Sequence, residues 1–224
     1  MKTTFKIFLV LIIGFTLTLP MGCGQKKSPS GFLQDYSYLK PGPTGGADLV
    51  YIKEGVDFSV YNKVMIDQVV FYFSEDAKYK GIDPNELKEL SDAFHKAFVD
   101  ELSDGYTIVA EPGPDVLRIR TAITDLVPSK PALNTITTII PVGLAISAVK
   151  RVATGTHTFV GQASAEMEIL DSQTHELLAA AVDKKSGKKY QVIEGMQKWG
   201  HVKDAFTFWA KRLRSRLDDL QGRK

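Results

Sequence analysis

The sequence contains a single cysteine, Cys23, among its 224 residues. A lone cysteine excludes a disulfide within the chain and any zinc site built from several cysteines. The sequence also lacks an excess of charge of one sign, since 28 Lys and Arg residues face 26 Asp and Glu residues. Lys2 and Lys6 lie in a predicted signal peptide over residues 1–22, and without them the numbers of basic and acidic residues are equal. The mature chain therefore has no electrostatic basis for binding nucleic acid in bulk.

Motifs for the common enzymatic reactions are missing as well. The sequence has no Gly-x-Ser-x-Gly elbow, no phosphate-binding Gly-Lys-Ser/Thr loop and no paired-glycine dinucleotide fingerprint. The four histidines, His95, His157, His175 and His201, lie on different predicted elements. Only His157 and His175, which flank a predicted hairpin, could approach each other. We therefore expect no enzymatic activity, no cofactor and no metal site.

The N-terminal hydrophobic run is too short for a membrane span. Residues 7–19 are uncharged and mostly apolar, whereas a spanning helix needs about 20 such residues. Lys2 and Lys6 precede the run, and the small residue Gly22 stands directly before Cys23. This three-part pattern predicts a signal peptide over residues 1–22. An uncleaved anchor helix and a plain secreted protein are the alternatives.

Gly22 and Cys23 resemble the end of a bacterial lipobox. The match departs from the usual pattern at Pro20, where leucine is usual, and at Met21, which is larger than usual. The resemblance implies that Cys23 is acylated, for example with palmitate, and becomes the N-terminus of a lipoprotein. By resemblance to sorting rules, Gly24 favours the outer membrane, with the domain facing the periplasm. Residues 23–30 are then a polar tether.

The periodicity of the remaining chain predicts one α+β domain over residues 31–224, with a mostly antiparallel sheet of four to five strands packed by two helices on one face. An extended aromatic arm over residues 31–52 is expected to cross the domain surface. A parallel strand pair that flanks the first helix is an alternative topology. The predicted helices are Asp83–Leu102 and Val192–Leu220, and the predicted strands are Tyr61–Ser74, Tyr106–Ala110, Val116–Val127, Thr158–Leu170 and Glu176–Asp183.

Two basic groups invite a functional interpretation. Along the strand Val116–Val127, Leu117 and Val127 are predicted to share one face, while Arg118 and Arg120 share the other. The arginine pair could bind an anion or could belong to a solvated outer face. The second group, Lys211, Arg212, Arg214 and Arg216, is expected to complement the dipole of the C-terminal helix.

An apolar insertion over residues 132–151 interrupts the predicted strands. Residues 132–149 carry no charge but are too polar and too broken for a transmembrane helix. The segment could fold back on the domain's own sheet, form a surface for a protein partner or a second copy, or dip into the membrane. The residues of the possible partner or membrane surface are Ile136, Ile139, Ile140, Leu144 and Ile146.

Three stretches together resemble a known family. They are the arm from Ser30-Gly31-Phe32-Leu33 to Lys40-Pro41-Gly42, the segment Asp48-Leu49-Val50-Tyr51, and the hairpin from Gly161 through Asp171-Ser172-Gln173-Thr174. They are similar to the uncharacterised bacterial lipoprotein family DUF3313, over nearly the whole mature chain. The resemblance implies a bacterial lipoprotein and no known reaction.

These observations predict a non-enzymatic envelope lipoprotein that acts as an adaptor or assembly component through protein contacts. The expected partners are the membrane, through the N-terminal lipid, and an envelope protein of unknown identity, with no nucleic acid. The alternative function is a binding module for a small hydrophobic or lipid ligand, held in a cleft beside residues 132–149.

Overall fold

The structure is a computed structural model, and it describes residues 29–73, 75, 81–128, 161–186 and 198–223. The predicted signal peptide, Cys23, His157 and the segment 132–149 lie outside the described residues. The predicted surface residues Ile136, Ile139, Ile140, Leu144 and Ile146 lie outside them too. Expectations about these parts of the chain therefore stay predictions.

Within the described residues, two α-helices and one mixed sheet of eight strands form the α+β architecture predicted from the sequence. The helices are α1 (Pro84–Leu102) and α2 (Gly200–Leu220). The strands are β1 (Lys40–Pro41), β2 (Leu49–Ile52), β3 (Lys63–Ile66), β4 (Val70–Phe71), β5 (Thr107–Ile108), β6 (Val116–Val127), β7 (Gln162–Asp171) and β8 (Leu177–Ser186). The strand order is β1-β2-β8-β7-β6-β3-β5, and β4 also pairs with β6.

The sheet is larger than the predicted four to five strands, for two reasons. The arm supplies β1 and β2, which add to the edge at β8 through antiparallel pairing. The predicted long strand from Tyr61 is divided into β3 and β4, both parallel to β6. The division falls where Asp67 turns to the side chain of Arg118 and Gln68 turns to Ser91 of α1. Polar side chains whose partners lie on β6 and on α1 thus mark the break between β3 and β4.

The parallel pair that the sequence analysis kept as an alternative is present. Strands β3 and β5 flank α1 in the chain and pair in parallel, with Val64 opposite Ile108. Strands β1, β2, β8, β7 and β6 pair antiparallel in succession. The sheet is therefore mixed and mostly antiparallel.

Helix α1 confirms the predicted N-terminal signal. The side chain of Asp83 accepts a hydrogen bond from the backbone N–H of Asn85, and Pro84 occupies the first turn. Glu86 does not complete a capping box, because its carboxylate binds the ammonium group of Lys198 at 2.6 Å. The helix thus begins as predicted but uses its acidic residue for a tertiary contact.

Helix α2 begins at Gly200, later than the predicted Val192, and residues 192–197 lie outside the described residues. The dipole role predicted for its basic cluster is wrong, since the last turn of the helix contains no basic residue. The arginines are instead paired with carboxylates: Arg212 with Asp183, Arg214 with Asp218 and Arg216 with Asp219.

Both helices pack on one face of the sheet, as predicted, around stacked aromatic rings. The ring of Phe94 lies 4.3 Å from that of Phe206 and 4.6 Å from that of Phe98, measured between centroids. Trp209 lies next to the same ring, at 5.6 Å. The main hydrophobic core therefore fills the space between the sheet and the α1–α2 pair.

A β-bulge changes which side chains of β6 face this core. The register of β6 against β7 shifts between Ile123 and Asp125. Leu117 and Ile123 face the helices before the bulge, and Leu126 faces them after it. The expectation that Val127 shares this face was wrong, because the extra residue reverses the alternation. The predicted β7–β8 hairpin is confirmed, with Asp171 closing its turn by accepting from the N–H groups of Gln173 and Thr174.

Candidate functional site

The most distinctive feature of the helix-covered face is an apolar cleft between α2 and the strands β2, β8 and β7. Its volume is about 190 Å³, and it is partly open to solvent. For comparison, an apolar cavity of about 150 Å³ is large enough to hold benzene. Well-packed protein interiors contain few voids larger than a water molecule. A cleft of this size with apolar walls is therefore a candidate ligand site.

Small side chains on the sheet create the cleft. Residues opposite each other in antiparallel strands share a face, and the register places Ala181 beside Val50 and Met167, and Ala179 beside Ile52. Ala165 lines the same floor. Because an alanine side chain ends at Cβ, the floor stays low beneath α2. The roof consists of α2 side chains, namely Trp209, Leu213, Leu217 and Leu220.

A fully paired carboxylate borders one side of the cleft. One oxygen of Asp183 accepts hydrogen bonds from Trp209 Nε1 at 2.6 Å and from Arg212 Nη1 at 2.7 Å. The other oxygen accepts the backbone N–H of Asp48 at 3.1 Å. These bonds tie together β8, α2 and the loop before β2. The charge of Asp183 is compensated, so the cleft has an apolar interior and a rigid polar border.

The opposite face of the sheet carries the arm, which the sequence predicted to cross the surface. Phe32 and Leu33 are buried on this face, in contact with Ala122. The hydroxyl of Tyr36 accepts from the backbone N–H groups of Gly31 and Leu33, and donates to the Glu166 carboxylate at 2.6 Å. The arm is thus fixed to β7 through one tyrosine.

A polar cluster lies beneath and beside the arm, in an open depression of about 530 Å³. Arg118 holds Asp67 through two guanidinium nitrogens, and Arg120 binds Glu168 at 2.6 Å. Arg120 also lies over the ring of Phe32. The two arginines, considered for an anion site or a solvated face, are partly buried and paired with carboxylates. An anion would have to displace a carboxylate, so this cluster suits structural fastening of the arm better than ligand binding.

Burial of Glu168 gives the cluster a pH dependence. Desolvation, reinforced by the nearby Glu166, raises the pKa of Glu168 above its ordinary value of 4.5, against the opposing effect of Arg120. The folded state therefore holds this proton more tightly than the unfolded state. We expect the free energy of unfolding to fall as pH rises from about 4.5 through the raised pKa.

The Glu168→Gln variant should lack this fall, as measured by denaturant unfolding between pH 4.5 and 7. Glu176→Gln, at an exposed carboxylate, is the control and should keep the wild-type profile. This pH range lies above the titration of groups such as Asp115, because a hydrogen bond from Lys63 lowers the pKa of Asp115 below its ordinary value of 3.8. Identical profiles for Glu168→Gln and wild type would show that the assignment to Glu168 is wrong.

The remaining predicted site residues are dispersed. His95 lies on α1 near the carbonyl of Asp67, His175 lies at the β7–β8 turn, and His201 lies at the start of α2. Among the described residues, no group of three His, Cys, Asp or Glu side chains could hold a metal ion. No helix in the described part of the chain has the length and apolarity needed to cross a membrane.

The apolar cleft was missed by sequence reasoning, which placed a possible ligand cleft beside residues 132–149. Its only signal is the run Ala179-Ala180-Ala181 in a strand. Alanine is depleted in strands, so three in succession indicate a close approach or a space next to the sheet. The run could not reveal which element lies above it.

Comparison with known proteins identifies the family. Residues 28–213 match the model of a family described as "Protein of unknown function (DUF3313)". The chain belongs to the DUF3313 family. No curated protein matches this chain. The family's description names no activity.

Solved structures offer distant likenesses. A PelC dodecamer from Paraburkholderia phytofirmans shares 9% identity, with a TM-score of 0.40, covering 74% of this chain and 95% of that one. A DUF4136 family protein from Bacteroides thetaiotaomicron shares 9%, with a TM-score of 0.39, covering 78% and 96%. A candidate lipoprotein from Caulobacter crescentus shares 11%, with a TM-score of 0.36, covering 75% and 95%.

Proposed function

We propose that this DUF3313 protein is a non-enzymatic envelope lipoprotein that binds an acyl chain, or a small hydrophobic molecule of similar width, in the cleft beneath α2. The apolar cleft of about 190 Å³ carries the proposal. Its floor is low because of Ala165, Ala179 and Ala181, and its polar border is satisfied internally. Such a site selects a ligand by its shape and apolar surface rather than by hydrogen bonding.

The cleft offers affinity through burial of apolar surface rather than through polar contacts. Each methylene group transferred from water to an apolar site contributes about 0.8 kcal/mol. Five such groups would supply about 4 kcal/mol before the cost of ordering the ligand. The Trp209–Asp183–Arg212 contacts hold α2 over the sheet, which keeps the cleft formed without a ligand. A preformed site lowers the cost of binding.

The proposed location rests on the N-terminus. Acylated Cys23 would anchor the chain in the outer membrane, facing the periplasm, as the lipobox resemblance and Gly24 imply. The arm supports a tethered arrangement, because it is fastened to the sheet close to residue 30 through Tyr36. The adaptor hypothesis, in which the protein acts through contacts with an envelope partner, stays a prediction. The possible partner surface within residues 132–149 lies outside the described residues.

Filling the cleft tests the proposed function. In Ala181→Phe the new ring would occupy the space above the floor, where Val50 and Met167 flank Ala181. We expect the affinity for a fluorescent fatty acid, cis-parinaric acid, to fall at least about tenfold, because the loss of two buried methylenes already removes about 1.6 kcal/mol. Thermal stability should be unchanged or higher, since the substitution fills a cavity.

Thr207→Phe is the control, because Thr207 lies on the exposed side of α2 and outside the lining of the cleft. This variant should bind the fatty acid as wild type does. If Ala181→Phe melts like wild type and binds the fatty acid with unchanged affinity, the cleft is not the binding site.

A further inference from the structure

The described part of the chain concentrates its exposed apolar side chains at one place. Val70, Tyr72 and Phe73 are 39%, 45% and 37% exposed, and they account for three of the five large hydrophobic side chains that are exposed among the described residues. We refer to these three residues as the aromatic edge. It lies at β4, which pairs with β6 next to Ala122 and Ile123. The three residues lie within four positions of the chain, and exposed apolar side chains concentrated in this way mark a candidate interaction surface.

The arm begins at this same edge. The ring of Phe32 contacts the ring of Tyr72 edge-on, at 5.5 Å and 66°. Phe32 and Leu33 are 7% and 2% exposed, so this point of the chain is firmly packed. The described chain begins at residue 29, three residues before this contact, so the N-terminal end of the described arm lies beside the aromatic edge.

The length of chain before Phe32 limits how far this edge can lie from the anchor. Cys23 precedes Phe32 by nine residues. At no more than about 3.5 Å per residue, that stretch spans at most about 32 Å, whatever its conformation. An anchor at Cys23 therefore keeps Tyr72 and Phe73 within about 40 Å of the bilayer, allowing for the ring contact. At this distance, the tether gives the aromatic edge a high effective concentration of lipid surface.

We propose that the aromatic edge rests in the interfacial region of the bilayer to which Cys23 is anchored; this inference rests on the anchor of the proposed function. Tyrosine and other amphipathic aromatic rings favour the level of the lipid head groups. The partial burial of all three side chains limits insertion to a shallow depth. The edge then orients the domain, whereas the lipid alone would leave it free to rotate.

This orientation also determines where the cleft lies. Strands β7 and β8 separate β6 from β2 in the sheet, which is about 14 Å at the usual strand spacing. The β2 border of the cleft therefore lies on the side of the sheet away from the aromatic edge, and Ala165 on β7 forms the nearer border. With β4 against the bilayer, the cleft beneath α2 stays accessible from the aqueous side.

The test uses the full lipidated protein, extracted from the envelope and reconstituted into phosphatidylethanolamine–phosphatidylglycerol vesicles. Phe73→Cys is labelled with the environment-sensitive dye NBD, since acylation blocks Cys23 from labelling. We expect NBD at position 73 to be quenched at least twofold by lipids that carry a quencher near the head group. Val60→Cys is the matched control, because Val60 is 50% exposed and lies next to the strand end that pairs with Val116, far from Ala122 along β6.

Equal and low quenching at positions 73 and 60 in vesicle-bound protein would overturn the inference while leaving the anchor intact. A dye at position 73 that is shielded from water but not quenched by lipid would identify the edge as a protein-docking surface, and would overturn the inference too. Failure of the wild-type protein to associate with vesicles would contradict the anchor itself, and with it the premise of both proposals.

Discussion

Replacement of Phe94 by alanine is expected to lower the free energy of unfolding by about 3–5 kcal/mol, the range for truncation of a buried phenylalanine. Phe94 is fully buried. Its ring stacks on Phe206 at 4.3 Å with an interplanar angle of 5°, and it also contacts Phe98 and Trp209. Phe98, Phe206 and Trp209 are themselves buried, so moving into the space would disturb their own packing. Guanidinium unfolding monitored by circular dichroism would measure the loss.

Phe73→Ala is the matched control for this prediction. The same atoms are removed, but from a side chain that is 37% exposed at the aromatic edge. We expect a loss of unfolding free energy well below that of Phe94→Ala. The Phe73 side chain buries less apolar surface in the folded state, and its truncation leaves no enclosed cavity. Similar losses for the two variants would contradict the account of a core built around the stacked rings.

Asp183→Ala is expected to cost about 3 kcal/mol, because it breaks a largely buried ion pair from one side. The substitution leaves the Arg212 guanidinium, the Trp209 indole N–H and the backbone N–H of Asp48 without their shared acceptor. Trp209 and Arg212 line the cleft, so we also expect weaker binding of the fatty acid. Thermal unfolding and probe titration of the same variant would measure both effects.

The control here is Asp219→Ala, at the exposed pair with Arg216 on the same helix. These side chains are 62% and 51% exposed, and a surface pair of this kind contributes about 0–1 kcal/mol. If Asp183→Ala and Asp219→Ala destabilise the protein equally, the carboxylate of Asp183 does not fasten α2 to the sheet.

The sequence was informative where local patterns decide structure. The cap at Asp83, the spacing of Leu90, Phe94 and Phe98, and the turn residues after Asp171 predicted α1 and the β7–β8 hairpin, which are confirmed. Their signals lie within a few residues of the structure that they specify. The aromatic character of the arm likewise predicted contact with the domain, since Phe32 and Leu33 would not remain in water.

The failures share a different physical origin, which is dependence on distant partners. Asp67 interrupts the first predicted strand because it meets Arg118 from β6, and Arg212 serves Asp183 rather than the helix dipole. One added residue near Thr124 exchanges Val127 for Leu126 in the core. None of these pairings can be read from a local window of sequence.

The candidate site was harder to predict than the fold, because small side chains that leave space unfilled create it and no sequence motif marks it. The cleft exists where Ala179 and Ala181 fail to fill the space under Leu213 and Leu217. An alanine gives no sign in sequence of whether a neighbour compensates for its size. Only the assembled sheet and helix disclose that the volume stays open.

The most direct test of the central claim, that the cleft holds an apolar chain, is native mass spectrometry of the full protein released from envelope detergent extracts. We predict that wild type carries a non-covalent lipid, released by mild activation, in addition to the covalent acyl mass at Cys23. Ala181→Phe should show the same covalent mass and no releasable lipid. Spectra without releasable lipid in wild type, or with the same lipid in both proteins, would contradict the account.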